Sequence, residues 1–305
     1  MDSIDPPQRP SSLITYSVPF ILARGDIPEP LPTIEEIEDS TDIIKKGRAR
    51  CIVRVRPRFV VKFGTKVDPI EGDNMNFVRQ NVKVAGVRVP TVYAIYQREV
   101  TPQTNITYII MEDVDGHSLD ELWDTISTDE KRAVSNRLRE LFVSLRGIPG
   151  LGYFGSVNMT KCRDDILWAD EPILQDRGVL NTEAAFVQAV IDKYTIYCSH
   201  SEPHKVDYYR RVLPTALRGT NQSVFTHNDL RRKNILIRED GTMVILGWAT
   251  AGWYPAYWDY TKAMHLCDWQ DDWHEYIGRI LEEFPNQYPW MSMLRTGLWS
   301  SRYIR

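Results

Sequence analysis

The run Phe225-Thr-His-Asn-Asp-Leu-Arg-Arg-Lys-Asn-Ile-Leu-Ile237 constrains this chain more than any other segment, because it sets His227, Asp229 and Asn234 on an H-x-D-x-x-x-x-N spacing. In loops with that spacing the Asp accepts the proton of an attacking hydroxyl, and the Asn turns back to hold a metal ion on nucleotide phosphates. A hairpin is expected next, Ile235-Leu-Ile237 and Met243-Val-Ile-Leu246, around a turn containing Asp240-Gly241. After that turn a second metal-binding Asp should follow. The segment Val244-Ile-Leu-Gly-Trp248 has Gly247 in its place.

Each residue also has a plainer reading. Asp229 can cap a backbone turn, and His227 can be a buried imidazole bonded to a carbonyl. For His227 the structural role is preferred, and for Asp229 the role of base. Arg231, Arg232 and Lys233 place three cations between base and metal ligand, suited to attract a transferring phosphoryl group or to sit in water. Arg231 is the one assigned to the phosphoryl group.

Upstream residues fall in a matching order. Two β-branched runs, Arg50-Cys-Ile-Val-Arg-Val55 and Arg58-Phe-Val-Val-Lys-Phe63, predict a hairpin turning near Pro57. Lys62 near the end of the second run is placed to pair nucleotide phosphates, with Glu71 of a predicted helix over residues 71–81 as its partner. Thr107-Tyr-Ile-Ile-Met111 reads as a buried strand. It leads into Ile110-Met-Glu-Asp-Val-Asp-Gly116, a connector whose backbone at Met111, Glu112 and Val114 would face an adenine ring. Thr33 with Glu36, and Ser127 with Glu130, predict helix starts by capping boxes. Val134, Leu138, Leu141, Phe142 and Leu145 then share one helical face. Lysine strand, glutamate helix, buried strand, connector, helices, loop and hairpin follow the order of a kinase.

The chain has 305 residues, 43% hydrophobic and 26% charged, enough to bury one large core or two modest ones. A formal net charge of −4 gives no basic footprint, so nucleic acid and anionic membranes are not expected partners. No window approaches a membrane span and no leader pattern opens the chain, so a cytoplasmic location is expected. Cys51, Cys162, Cys198 and Cys267 lack metal spacing and read as reduced packing residues. The division expected is an arm and lead-in helix over 1–40, a lobe over 41–115 and a lobe over 116–305 that holds the loop 225–237. Prolines 6, 7, 10, 19, 28, 30 and 32 make the first part extended.

Thr226-His-Asn-Asp-Leu with Asn234, followed by Gly247-Trp-Ala-Thr-Ala-Gly-Trp-Tyr-Pro-Ala-Tyr-Trp-Asp-Tyr260, resembles the aminoglycoside phosphotransferase and choline kinase family, above all the version abundant in filamentous fungi. Similar elements stand at Val60-Val-Lys62, Glu71, Ile110-Met-Glu112 and Val114-Asp-Gly116, so the resemblance covers roughly residues 40–265. It implies an α+β, bilobal protein-kinase-like fold with a small β-rich N-lobe and a larger, mostly helical C-lobe. It further implies ATP with Mg2+ in the cleft and transfer of the γ-phosphate to a small-molecule hydroxyl. Lys62 and Glu71 would anchor phosphates, Asp229 would be the base and Asn234 the metal ligand.

Two departures bear on activity. The family reads Ile-Asp-Trp-Glu over Leu246 to Ala249, so acids are lost at Gly247 and Ala249. The region 43–58 has only Gly47 where a glycine-rich phosphate loop might be sought. Three readings follow: a small-molecule kinase with an impaired metal site, a pseudokinase that binds a protein partner, or a cleft reused for other chemistry in a biosynthetic pathway. An acceptor site would draw on Trp253, Tyr254, Tyr257, Trp258, Trp269 and Trp273 with Asp268, Asp271, Asp272 and Glu275, suiting a cationic or amphipathic ligand. The alternative makes Trp269, Trp273, Ile277 and Ile280 a core face.

Overall fold

The chain is described by a computed structural model over residues 19–102, 104–167 and 178–302. The expectation for Pro6, Pro7 and Pro10 lies outside these residues. Twelve strands occur in them: β1 (Phe20–Ile21), β2 (Ile43–Lys46), β3 (Cys51–Val55), β4 (Phe59–Gly64), β5 (Val87–Arg88), β6 (Val92–Thr101), β7 (Thr104–Glu112), β8 (His117–Ser118), β9 (Ser223–Thr226), β10 (Ile235–Ile237), β11 (Met243–Ile245) and β12 (Gly252–Pro255). Six of them form one sheet in the order β1-β6-β7-β4-β3-β2. The predicted hairpin is β3–β4, and Thr107–Met111 lies inside β7 as expected. The central strand β6 escaped the sequence reading because its first half is apolar and its second half is polar and exposed.

The sheet has two faces. Val53, Val55, Phe59, Val61, Tyr93, Tyr108 and Ile110 pack with Ile37 of α1 (Ile34–Glu38) on one side. That short helix starts at Thr33 with the predicted capping box. On the other side Ile109 and Met111 join the core that includes Ile70, Met75, Phe77 and Val78 of α2 (Ile70–Asn81). Opposed residues on adjacent antiparallel strands share a face. The pairs Ile52↔Lys62 and Lys62↔Ile109 therefore put Lys62 on the side of α2.

The second part is mostly helical. The helix Thr128–Arg146 carries its capping box at Ser127 and Glu130 and buries Val134, Leu138, Leu141, Phe142 and Leu145, as the periodicity predicted. Helices Glu183–Cys198, Pro203–Ala216, Trp258–His265 and Tyr288–Arg302 supply a further core of Phe186, Val190, Tyr194, Leu213, Trp258 and Leu294. A four-stranded sheet β5-β11-β10-β8 contains the predicted hairpin, and β9 pairs with β12. All four cysteines are thiols. Among the described residues no helix is long and apolar enough to cross a membrane.

Candidate active site

Strand β9 delivers the chain into the loop 227–234, and the hairpin β10–β11 carries it out. The loop is fixed by hydrogen bonds from outside and within. The Asp229 amide donates to His227 Nδ1 at 3.1 Å, which leaves Nε2 as the protonated nitrogen facing the Leu246 carbonyl at 3.0 Å. Burial holds His227 below the usual histidine range, despite the opposing charges of Asp229 and Asp259, so the imidazole is neutral and structural. Its ring packs on Trp248. Asn228 adopts a left-handed conformation, φ 65°, which Asn tolerates. The Asn228 amide donates to the Asp259 carboxylate at 2.7 Å, which fixes the loop to the helix Trp258–His265.

Asp229 is asymmetric at its two oxygens. Oδ2 accepts from Arg231 Nη2 at 2.6 Å and from Asn234 Nδ2 at 2.8 Å, whereas Oδ1 is buried with no partner. Burial would raise this carboxyl, but Arg231, by hydrogen bond and charge, and Asn234 outweigh it and leave it below the ordinary aspartate range. Asp229 is therefore ionised at neutral pH. Arg231, expected to face a transferring phosphoryl group, is turned instead onto Asp229. Arg232 is tied to Asp271 at 2.7 Å and Asp120 at 3.2 Å.

On the sheet side Lys62 forms an ion pair with Glu71 of α2, as the sequence order anticipated. Both side chains are largely buried. A second buried link, absent from the sequence reading, joins α2 to the other lobe: Asn74 Nδ2 donates to the carbonyls of Trp248 at 2.7 Å and Ala251 at 3.2 Å. Its sequence signal is an amide in a helix segment whose every residue from Ile70 to Val78 is buried. In the connector, the Glu112 amide is committed to the Thr91 carbonyl, and its carboxylate grips Arg88 at 2.7 and 2.8 Å. Of the backbone groups expected to face adenine, the Glu112 amide is thus engaged within the protein. Met111 reaches the cleft side of the sheet by its pairing with Val60, and Val114 is half-buried beyond the strand end.

A magnesium site would need the Asn234 amide oxygen and a carboxylate at position 247. Gly247 has none, and it sits at φ 83°. A Cβ there would lie 2.7 Å from Asn234 Nδ2, so the Asn234 side chain leans into the room left by the missing acid. Its amide nitrogen donates to the Asp229 carbonyl at 2.9 Å as well as to the carboxylate. Among the described residues no group of three or more His, Cys, Asp or Glu side chains is placed to hold a metal ion. The residues as arranged do not fit a magnesium site.

Beside the loop is a cavity of about 120 Å3, lined by Leu230, Arg231, Lys233, Leu266, Asp268 and Trp273 among others. A larger one of about 520 Å3, between the end of α2, residues 82–91 and Leu141, touches neither Asp229 nor Lys62. The smaller lining does not include them either, but it contains Leu230 and Arg231, the residues that directly follow Asp229. The aromatic acceptor set needs correction: Trp253, Tyr254, Tyr257, Trp258 and Trp273 are core residues. Asp272 is bound to Lys131 at 3.0 Å and to Trp123 Nε1 at 2.7 Å. Trp269 departs from the core-face reading as well, being 52% exposed.

A β-rich sheet lobe with a buried Lys–Glu pair, joined to a helical lobe that presents an H-x-D-x-x-x-x-N loop, defines an α+β kinase-like fold. A profile of the phosphotransferase enzyme family matches residues 50–294, and the chain belongs to that family. No curated protein matches the sequence. Among solved structures the chain is similar to a thermostable mutant of aminoglycoside phosphotransferase APH(4)-Ia, at 16% identity and TM-score 0.53 over 88% of this chain and 87% of that one. It is similar to APH(2")-IIia in its GDP and kanamycin complex, at 14% identity and TM-score 0.53 over 88% of both chains. A ternary complex of an APH(4)-Ia variant with ADP and hygromycin B gives 17% identity and TM-score 0.52 over 88% and 86%.

Proposed function

We propose that the chain is an ATP-dependent phosphotransferase acting on a hydroxyl of a small molecule, with an impaired metal site. The observation that carries this reading is the unpartnered Oδ1 of Asp229. An ionised carboxylate with one oxygen doubly held and the other buried and unused is an oriented proton acceptor. A substrate hydroxyl would approach the 17% of the Asp229 side chain that is exposed, and the buried Oδ1 would come into reach only if the carboxylate turned. As the hydroxyl oxygen attacks, the new O–P bond forms and the bond from the γ-phosphorus to the bridging oxygen breaks. The hydroxyl proton passes to Asp229 and ADP leaves. In a loose transition state the proton moves late, so a weakly basic carboxylate can serve chiefly by orienting the hydroxyl.

The rest of the site supports the same reading. Lys62, pinned by Glu71, would meet the phosphates, and the apolar cleft face of Val60 and Met111 would receive the base. Nucleotides in the solved relatives, GDP in one and ADP in another, support a nucleotide in this cleft. The cavity beside the loop combines Leu266 and Trp273 with Asp268, which suits a small amphipathic acceptor carrying a cation. Kanamycin and hygromycin B, ligands of the relatives, are the first acceptors to try.

A second reading is favoured by one observation. With no carboxylate at Gly247, the site suits a pseudokinase that holds nucleotide and acts through a protein partner. Incubation with γ-labelled ATP, magnesium and a panel of amino-sugar and amino-alcohol acceptors separates the two. The kinase reading expects a labelled phosphate ester that disappears in Asp229→Asn. Nucleotide binding without any labelled acceptor, or labelling indifferent to Asp229, would hand the site to the second reading.

A further inference from the structure

We propose that this cleft binds a nucleoside triphosphate without a metal ion, its phosphates neutralised by Lys45 and Lys62 from the sheet and Lys233 from the loop. The inference rests on the nucleotide reading above and deepens it. Where a divalent ion would stand, the chain has Gly247 and an inward-turned Asn234, so the charge of a triphosphate must be met by other groups.

Strand register supplies them from above. Lys45 pairs with Ile52, and Ile52 pairs with Lys62, so the three lie in one row on the cleft face of the sheet. With strands about 4.8 Å apart, the two lysines are roughly 10 Å apart at their Cα atoms, within joint reach of one phosphate chain. The turn that carries this strand is seated firmly. The Gly47 amide donates to the Arg50 carbonyl at 2.9 Å, and the Lys66 amide to the Ala49 carbonyl at 3.1 Å. Gly64, at φ 140°, lets the chain pass so close that a Cβ there would collide with the Ala49 carbonyl. In this position, where a glycine-rich loop would lie over phosphates, the chain reads Lys45-Lys46-Gly-Arg48-Ala-Arg50.

From below, Lys233 lies four residues after Asp229, exposed at the rim of the small cavity. Neither Lys45 nor Lys233 has an ion-pair partner among the described residues. Burial lowers the Lys233 ammonium below the usual lysine range, and the charges of Arg231 and Lys45 lower it further, so strand and loop cations face each other across the cleft. Asp229 and Asp120 pull the other way, yet the ammonium stays lowered, and cations crowded in this manner favour a polyanion between them.

Calorimetric titration of the full chain with ATP, ADP and AMP, each in excess EDTA and again in magnesium, tests this. ATP is expected to bind in EDTA more than about tenfold tighter than AMP, with magnesium changing its affinity less than about threefold. Lys45→Gln and Lys233→Gln should each weaken ATP about tenfold, or ~1.4 kcal/mol, while leaving AMP unchanged. Both lysines are exposed and unpaired, so the unliganded melting temperature should stay the same. Binding of ATP only with magnesium would overturn the inference and leave the nucleotide reading intact. Equal weakening of AMP in the variants would also overturn it. Failure of every nucleotide to bind in either condition would defeat the inference and the nucleotide reading together.

Discussion

On the sheet side of the cleft Lys62 and Glu71 complete each other in a buried ion pair, whereas on the loop side Arg231 and Asn234 both bond Oδ2 of Asp229, Oδ1 has no partner, and position 247 has no carboxylate. The first arrangement needs no ligand to be stable and keeps a lysine ready in place. In the second the Asn234 side chain lies where a Cβ at position 247 would be crowded. Gly247 explains the contrast, since Asn234 fills the space a Cβ would require. The backbone beside Gly247 is held by hydrogen bonds such as Leu246 amide to Asn234 carbonyl at 2.8 Å.

The contrast can be broken first at the base. Asp229→Asn removes the proton acceptor, and phosphoryl transfer should fall by about a thousandfold, the scale of general-base contributions, with nucleotide binding retained. Single-turnover rates with labelled ATP would check it. Next is the sheet side: Glu71→Ala leaves Lys62 buried without its counter-charge and should cost about 3–5 kcal/mol of stability, read by denaturant unfolding.

Smaller effects sharpen the electrostatics. Asp73 in α2 is pushed up to about 7 by burial, with Asp68 adding to it. An acid raised in the folded state binds its proton there while the unfolded chain has already released it. Its stabilising proton is therefore lost progressively as pH rises from the unfolded value near 4 to about 7. Asp73→Asn should flatten that fall and raise the melting temperature at pH 8 more than at pH 4. At the loop, Arg231→Gln takes away the chief group opposing burial at Asp229, so the Asp229 carboxyl should titrate at higher pH. Because the carboxylate is depressed in the folded chain, its contribution is present above the unfolded value and lost as pH falls through the folded one. The acid limb of the rate profile should accordingly move toward neutrality.

Much of this was legible in the sequence where signals were local. Capping boxes at Thr33 and Ser127, the apolar stripe from Val134 to Leu145 and the spacing of the loop are each set by residues a few positions apart. The Lys62–Glu71 pair was legible through order along the chain. What escaped depends on distant partners. Asn74 meets carbonyls more than 170 positions away, and the aromatic run from Trp253 to Trp258 is buried by helices that no short window reveals. Lys45 gains its meaning only from the register of three strands.

The most direct test of the account is Gly247→Asp. Aspartate tolerates the left-handed backbone at this position, and its side chain would push Asn234 off Asp229. Single-turnover phosphoryl transfer by this variant and the natural chain, measured across a magnesium titration, should show a gain of at least about tenfold that requires magnesium. In EDTA the added negative charge should instead weaken ATP binding. A variant that folds, yet transfers no faster than the natural chain at any magnesium concentration, would contradict the claim that the carboxylate absent at position 247 is what limits metal-dependent transfer.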